Sequence, residues 1–150
     1  MSVTDAANSF RECCGSSRWV DAMLARRPFD SSEAVYKAAD KAWSQCESRD
    51  WQEAFSHHPR IGDNVSGKEA QEQATAQAAS LQVKEELAAV NRRYEEKFGH
   101  IYIVCATGRT AEDMLAIATA RLGNDAETEL RIAAEEQRKI MQLRLRKLLS

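Results

Sequence analysis

The chain has 150 residues, 43% of them hydrophobic and 29% charged, with a formal net charge of −2. That is the size and balance of one globular domain with one core, and the charge argues against a general nucleic-acid binder, which needs a basic face. It leaves room for a small anionic substrate, which a local Arg or His can hold. Only 2 Pro and 6 Gly are present, so long helices are permitted almost everywhere. The four cysteines, Cys13, Cys14, Cys46 and Cys105, form no CxxC pair, and no metal site is expected from them. Residues 1–10 lack the basic and apolar regions of a secretory signal, and no apolar run approaches the ~20 residues that span a bilayer. The expectation is a cytoplasmic protein with no membrane partner, its reduced thiols acting as small buried hydrophobes.

The pattern is helical nearly throughout. A first helix over 3–14 gathers Ala6, Ala7, Phe10, Cys13 and Cys14 on one side and is stopped by Gly15. Ser16 or Ser17 caps a second, with Trp19, Val20, Met23 and Leu24 inside. A third starts near Ser31 and buries Val35, Ala38, Ala39, Ala42, Trp43 and Cys46. Trp51 to Phe55 adds a turn or two. The pattern then breaks at Ser56-His57-His58-Pro59-Arg60-Ile61-Gly62-Asp63, because proline removes an N–H and pushes His58 toward an extended backbone.

Ser66-Gly67-Lys68-Glu69 reads as a capping box that opens an Ala- and Gln-rich helix running to Ala79. Leu87, Val90, Tyr94 and Phe98 form a helical stripe ended by Gly99. Ile101 to Ala106 is apolar and β-branched but has no second strand to pair with, so it is read as a buried extended connector. Thr110 caps a helix burying Met114, Leu115, Ala118 and Leu122. The last helix follows Gly123-Asn124-Asp125, with a stripe of Leu130, Ala133, Ala134, Gln137, Ile140, Met141, Leu145 and Leu148. One all-α, single-domain helical bundle over residues 1–150 is the economical conclusion.

Three histidines, His57, His58 and His100, are candidate acids or bases, since imidazole changes charge near neutral pH. His58 stands out because proline restrains its backbone in a loop between helices, where a scaffold presents function; the competing reading is a His-Pro helix terminator. Glu72 and Gln73 lie among Ala70, Ala74 and Ala76, small neighbours that permit close approach, although composition alone favours a solvated helix face. Glu69 is explained as the capping partner of Ser66. Arg144 falls on the apolar stripe of the last helix and needs a carboxylate or carbonyl partner, which favours a structural ion pair over substrate contact. A non-catalytic helical interaction module is the alternative reading of the whole, and would show an exposed apolar helix face and no closed pocket.

Taken together, these stretches resemble one family. His58-Pro59-Arg60-Ile61-Gly62 is similar to the signature loop of the 2-oxo-4-hydroxy-4-carboxy-5-ureidoimidazoline (OHCU) decarboxylases. Cys13-Cys14-Gly15-Ser16 with Trp19, Glu72-Gln73, Arg93-Tyr94-Glu95 with Lys97-Phe98-Gly99, Ile103 to Arg109, and Glu136-Gln137 to Leu145 follow in the family's order. The resemblance implies an all-α fold, no metal or organic cofactor, a possible homodimer, and conversion of OHCU to (S)-allantoin and carbon dioxide in urate breakdown. It implies His58 and Glu72 as catalytic residues. It implies substrate binding by Pro59, Gln73, Glu69 (where relatives often carry Ser) and the connector residues Tyr102, Ile103, Val104, Cys105 and Ala106. Loss of the carboxylate leaves an electron pair that the substrate's own ring can take up, so the chemistry requires no cofactor as electron sink.

Overall fold

A computed structural model describes residues 1–61 and 80–150. The capping box at Ser66–Glu69 and the pair Glu72-Gln73 lie outside the described residues. Those described form seven helices: α1 (Val3–Cys13), α2 (Ser17–Ala25), α3 (Ser32–Ser44), α4 (Ser48–Ser56), α5 (Leu81–Phe98), α6 (Ala111–Arg121) and α7 (Ala126–Leu148). The all-α expectation holds, and none of these helices is long and apolar enough to cross a membrane.

Local chemistry sets where the helices begin. Ser2, Ser16, Ser31, Ser80 and Thr110 each accept a hydrogen bond from the amide three residues on, and Asp125 does so from Thr128 at 2.7 Å. Such caps satisfy amides that have no partner within the helix and are each worth about 1 kcal/mol. At α4 the Asp50 carboxylate reaches back to the Glu47 N–H at 2.8 Å. Between Ser16 and Ser17, Ser16 is the cap; Ser17 instead gives its N–H and hydroxyl to Glu53, at 2.8 and 2.7 Å, bringing a carboxylate to the positive end of α2. Cys14 stands outside α1, as its extended C-cap. Gly99 ends α5 with φ +78°, a conformation that side-chain-bearing residues rarely adopt.

The described residues cluster into two units. One comprises residues 1–57 and 134–150. Its centre is Trp19, fully buried, edge-on to Phe10 at 5.9 Å with its indole N–H on the Ala39 carbonyl at 3.1 Å. Trp43 likewise donates to the Ala134 carbonyl at 3.1 Å. The indole therefore contributes apolar area without leaving a buried donor unmet. Arg144, also buried, donates to the Glu12 carbonyl at 3.0 Å. Leu148 departs from expectation: the last turn of α7 leaves it 37% exposed, while the stripe proper ends at Leu145. None of the four cysteines forms a disulfide and all are buried, and burial pushes the Cys14 thiol up to about 12, so it is not a nucleophile at neutral pH.

His57, the C-cap of α4, has a structural place here. Its ring lies so close over Gly15 that a Cβ on Gly15 would meet the imidazole Cγ at 2.5 Å and the His57 Cβ at 2.8 Å. Gly15→Ala is accordingly expected to lower stability by about 1–3 kcal/mol, read as a shift of the urea midpoint without a change in slope.

The second unit, residues 58–133, packs α5 against α6 with the start of α7. Its core holds Ile61, Leu87, Val90 and Tyr94 from one side and Tyr102, Val104, Ala111, Met114 and Ala118 from the other. Residues 101–106 are neither helix nor strand, as the connector reading expects.

Candidate active site

His58 and Pro59 follow the end of α4 on irregular backbone and are half-buried, so the imidazole is neither sealed in the core nor wholly solvated. The residues after them are tied to α5. Arg60 meets Glu95 as a fork, Nε to Oε2 at 2.9 Å and Nη2 to Oε1 at 2.8 Å. Ile61 enters the core, and its carbonyl accepts from Asn91 Nδ2 at 3.0 Å. One helix thus fixes the loop by a charge-assisted pair and a buried amide. Beside these anchors is a depression of about 190 Å³ lined by Arg60, Ile61, Lys84, Ala88, Asn91, Arg92 and Glu95. Its described lining includes neither His58 nor the connector.

The connector is the other element in view. Tyr102, Ile103, Val104 and Cys105 are all buried and Ala106 partly so. Tyr102 and Val104 join the core of this unit, with Ala106 packed against it. The Tyr102 hydroxyl donates to the Met114 carbonyl at 2.9 Å, and Arg121 Nη1 donates to the Ile103 carbonyl at 2.8 Å. The Arg121 guanidinium is held in turn by Glu129, which is fully buried and accepts from Arg121 Nε at 2.8 Å, from the Tyr94 hydroxyl and from Asn124 Nδ2 at 3.1 Å. The Tyr102 ring lies 5.0 Å from the centre of the same guanidinium.

Burial pushes the Tyr94 phenol up, and its hydrogen bond to Glu129 adds to the rise, so it remains a proton donor at physiological pH. Burial works against the Arg121 charge, but the Glu129 hydrogen bonds and the neighbouring groups outweigh it and push its pKa above the ordinary value.

Sequence reasoning missed this network. Glu129 sits four residues before Ala133 and eight before Gln137, on the buried face of α7. A carboxylate on an apolar stripe is the available signal, one residue before Leu130, where the purely apolar pattern starts. His100 is structural in its contacts: it stacks on Phe98 at 6.3 Å, with Nδ1 3.0 Å from the Ile101 carbonyl. Among the described residues no group of three or more His, Cys, Asp or Glu is arranged to hold a metal ion.

Comparison with known proteins places this architecture. The family model described as OHCU decarboxylase matches residues 1–146. The uric acid degradation bifunctional protein TTL of Arabidopsis thaliana is 41% identical over 159 residues, covering all of this chain. The chain spans 49% of that relative's length. A 2-oxo-4-hydroxy-4-carboxy-5-ureidoimidazoline decarboxylase of Haloferax volcanii is 27% identical over 92% of this chain and 85% of its own. A crystal structure of OHCU decarboxylase determined in the presence of (S)-allantoin superposes with a TM-score of 0.86 at 38% identity, over 95% of this chain and 97% of that one. The chain belongs to the OHCU decarboxylase family.

Proposed function

We propose that this chain decarboxylates OHCU to (S)-allantoin without a cofactor, as a step of urate breakdown. The observation that carries the reading is the fold shared over nearly the whole of both chains, at 38% identity, with the OHCU decarboxylase crystallised in the presence of (S)-allantoin. It favours an enzyme over a non-catalytic helical module. A cytoplasmic, homodimeric protein is the family expectation that goes with it.

The chemistry asks three things of a protein: to hold the scissile carboxylate out of the conjugated plane, to stabilise the oxyanion that develops, and to protonate one face of the carbon. In this reading His58 shares or donates a proton at the hydroxyl or carboxylate end of the substrate. Pro59 packs beside it. Glu72 accepts from ureido or ring N–H groups and sets the protonation of His58, Gln73 adds an amide donor and acceptor, and Glu69 adds a further substrate contact. Backbone N–H groups over Tyr102–Ala106 bind ring oxygens, a role suited to non-helical backbone whose amides are not consumed by a helix ladder.

The test is chiral. Uncatalysed loss of carbon dioxide leaves a planar intermediate that is protonated from either face, so it yields a racemate. With freshly generated OHCU, the chain is expected to speed the appearance of the circular dichroism of (S)-allantoin. A signal that stays flat, with product forming at the buffer rate, refutes the activity.

A further inference from the structure

The connector is held from one side by a charged group, and that has a consequence for the other side. Arg121 cannot swivel: Nε and Nη2 are both taken by Glu129, Nη1 by the Ile103 carbonyl, and its guanidinium carbon lies 5.0 Å from the Tyr102 ring centre. The Ile103–Val104 peptide is trans. In a trans peptide the N–H points opposite to the C=O. The grip on the Ile103 carbonyl therefore turns the Val104 N–H away from the guanidinium. No hydrogen bond to that N–H forms among the described residues, although Val104 is 3% exposed. A donor in buried surroundings with no partner is uncommon and costly, and here its direction is imposed from behind.

We propose that Arg121, set by Glu129, is a positioning residue for the decarboxylation, aiming the Val104 N–H at an oxygen of the substrate as negative charge develops there. This rests on the reading that the connector binds substrate. Neither charged group touches the substrate; both act through one peptide plane.

The experiment compares the parent with Arg121→Met/Glu129→Gln, which removes both charges and keeps an acceptor for Tyr94, and with Arg121→Lys, which keeps the charge and loses the fork. Two quantities are read in folded protein: turnover of fresh OHCU, and the amide shift of Val104 in a 15N–1H spectrum. In the double variant the Val104 resonance is expected to move and kcat to fall about 10- to 100-fold, the scale of a misaimed oxyanion donor, with KM changing less than about threefold. Arg121→Lys is expected to recover part of both, because a point charge can hold one partner but not the two that the fork holds. A Val104 resonance at the parent position, or a folded double variant with kcat within about twofold of the parent, overturns the proposal. Should the double variant not fold, Arg121→Lys is judged on the same readouts, an unmoved resonance and parent kcat being the refuting result. A parent chain that leaves OHCU untouched refutes the proposed function instead, so the two failures are distinguishable.

Discussion

Replacing His58 with alanine is expected to slow (S)-allantoin formation by about 10²- to 10⁴-fold, the usual contribution of a positioned proton-transfer group. The fold should survive. His58 lies outside the helices on irregular backbone and is half-buried, while the anchors that follow it, the Arg60–Glu95 fork and the Ile61 carbonyl on Asn91, use other atoms. The far-ultraviolet spectrum and the urea midpoint should stay near those of the parent. Two signatures separate loss of chemistry from loss of binding. If His58 acts on the reacting atoms, kcat falls more than KM rises. If it also helps direct the proton to one face, the product that the variant forms above the buffer rate is itself racemic. Formation of (S)-allantoin by His58→Ala at the parent rate would remove His58 from the mechanism and leave the His-Pro helix terminator as its explanation. Glu72→Ala against Glu69→Ala tests the neighbouring assignment: parent activity in the first with loss in the second would mean that the motif is placed one turn out of register.

The features legible in the sequence were those fixed by neighbours a few residues apart. The caps at Ser31 and Thr110 and the stop at Gly99 depend on atoms within one turn, and they stand where the residue pattern puts them. The connector was legible because an apolar β-branched run without a pairing partner has few other fates. Choices settled by distant residues were not. Ser16 and Ser17 look equivalent until Glu53, 36 positions away from Ser17, takes the second of them. His57 had no assignment because its place is defined by the lack of a side chain on Gly15. Arg121 and Glu129 are illegible to helical periodicity, which marks core positions by apolar residues, whereas here a charged pair occupies the core and meets its hydrogen-bonding needs through Tyr94, Asn124 and Ile103. The expected core lost Leu148 for the converse reason: helical spacing continues past Leu145, but the packing does not.

That charged pair sets the largest stability effect expected in the chain. Glu129 is wholly buried and Arg121 is 6% exposed. Truncating Glu129 to alanine strips the guanidinium of its counter-charge and leaves the Tyr94 hydroxyl and Asn124 amide without their acceptor. Breaking a buried pair from one side costs about 3–5 kcal/mol, a large share of the ~5–15 kcal/mol that holds a domain folded. Glu129→Gln keeps the shape and one acceptor oxygen, so it is expected to lose less than Glu129→Ala although it too leaves the guanidinium without its counter-charge. Arg121→Met/Glu129→Gln removes the orphaned charge as well, so it should be more stable than Glu129→Ala despite carrying two substitutions, since neutral replacement of a buried pair is often close to free. The measurement is a double-mutant cycle of Arg121→Met, Glu129→Gln and the pair together, on urea midpoints at constant slope. Single losses that simply add would show that the two side chains are stabilised independently. A Glu129→Ala variant within about 1 kcal/mol of the parent would show that the guanidinium finds water or another acceptor when its carboxylate is gone. The expected order ties stability to the positioning role: the double variant, which keeps the fold better than Glu129→Ala, is the one predicted to release the Ile103 carbonyl, so a stable protein with a slow reaction is the outcome that a purely structural pair would not produce.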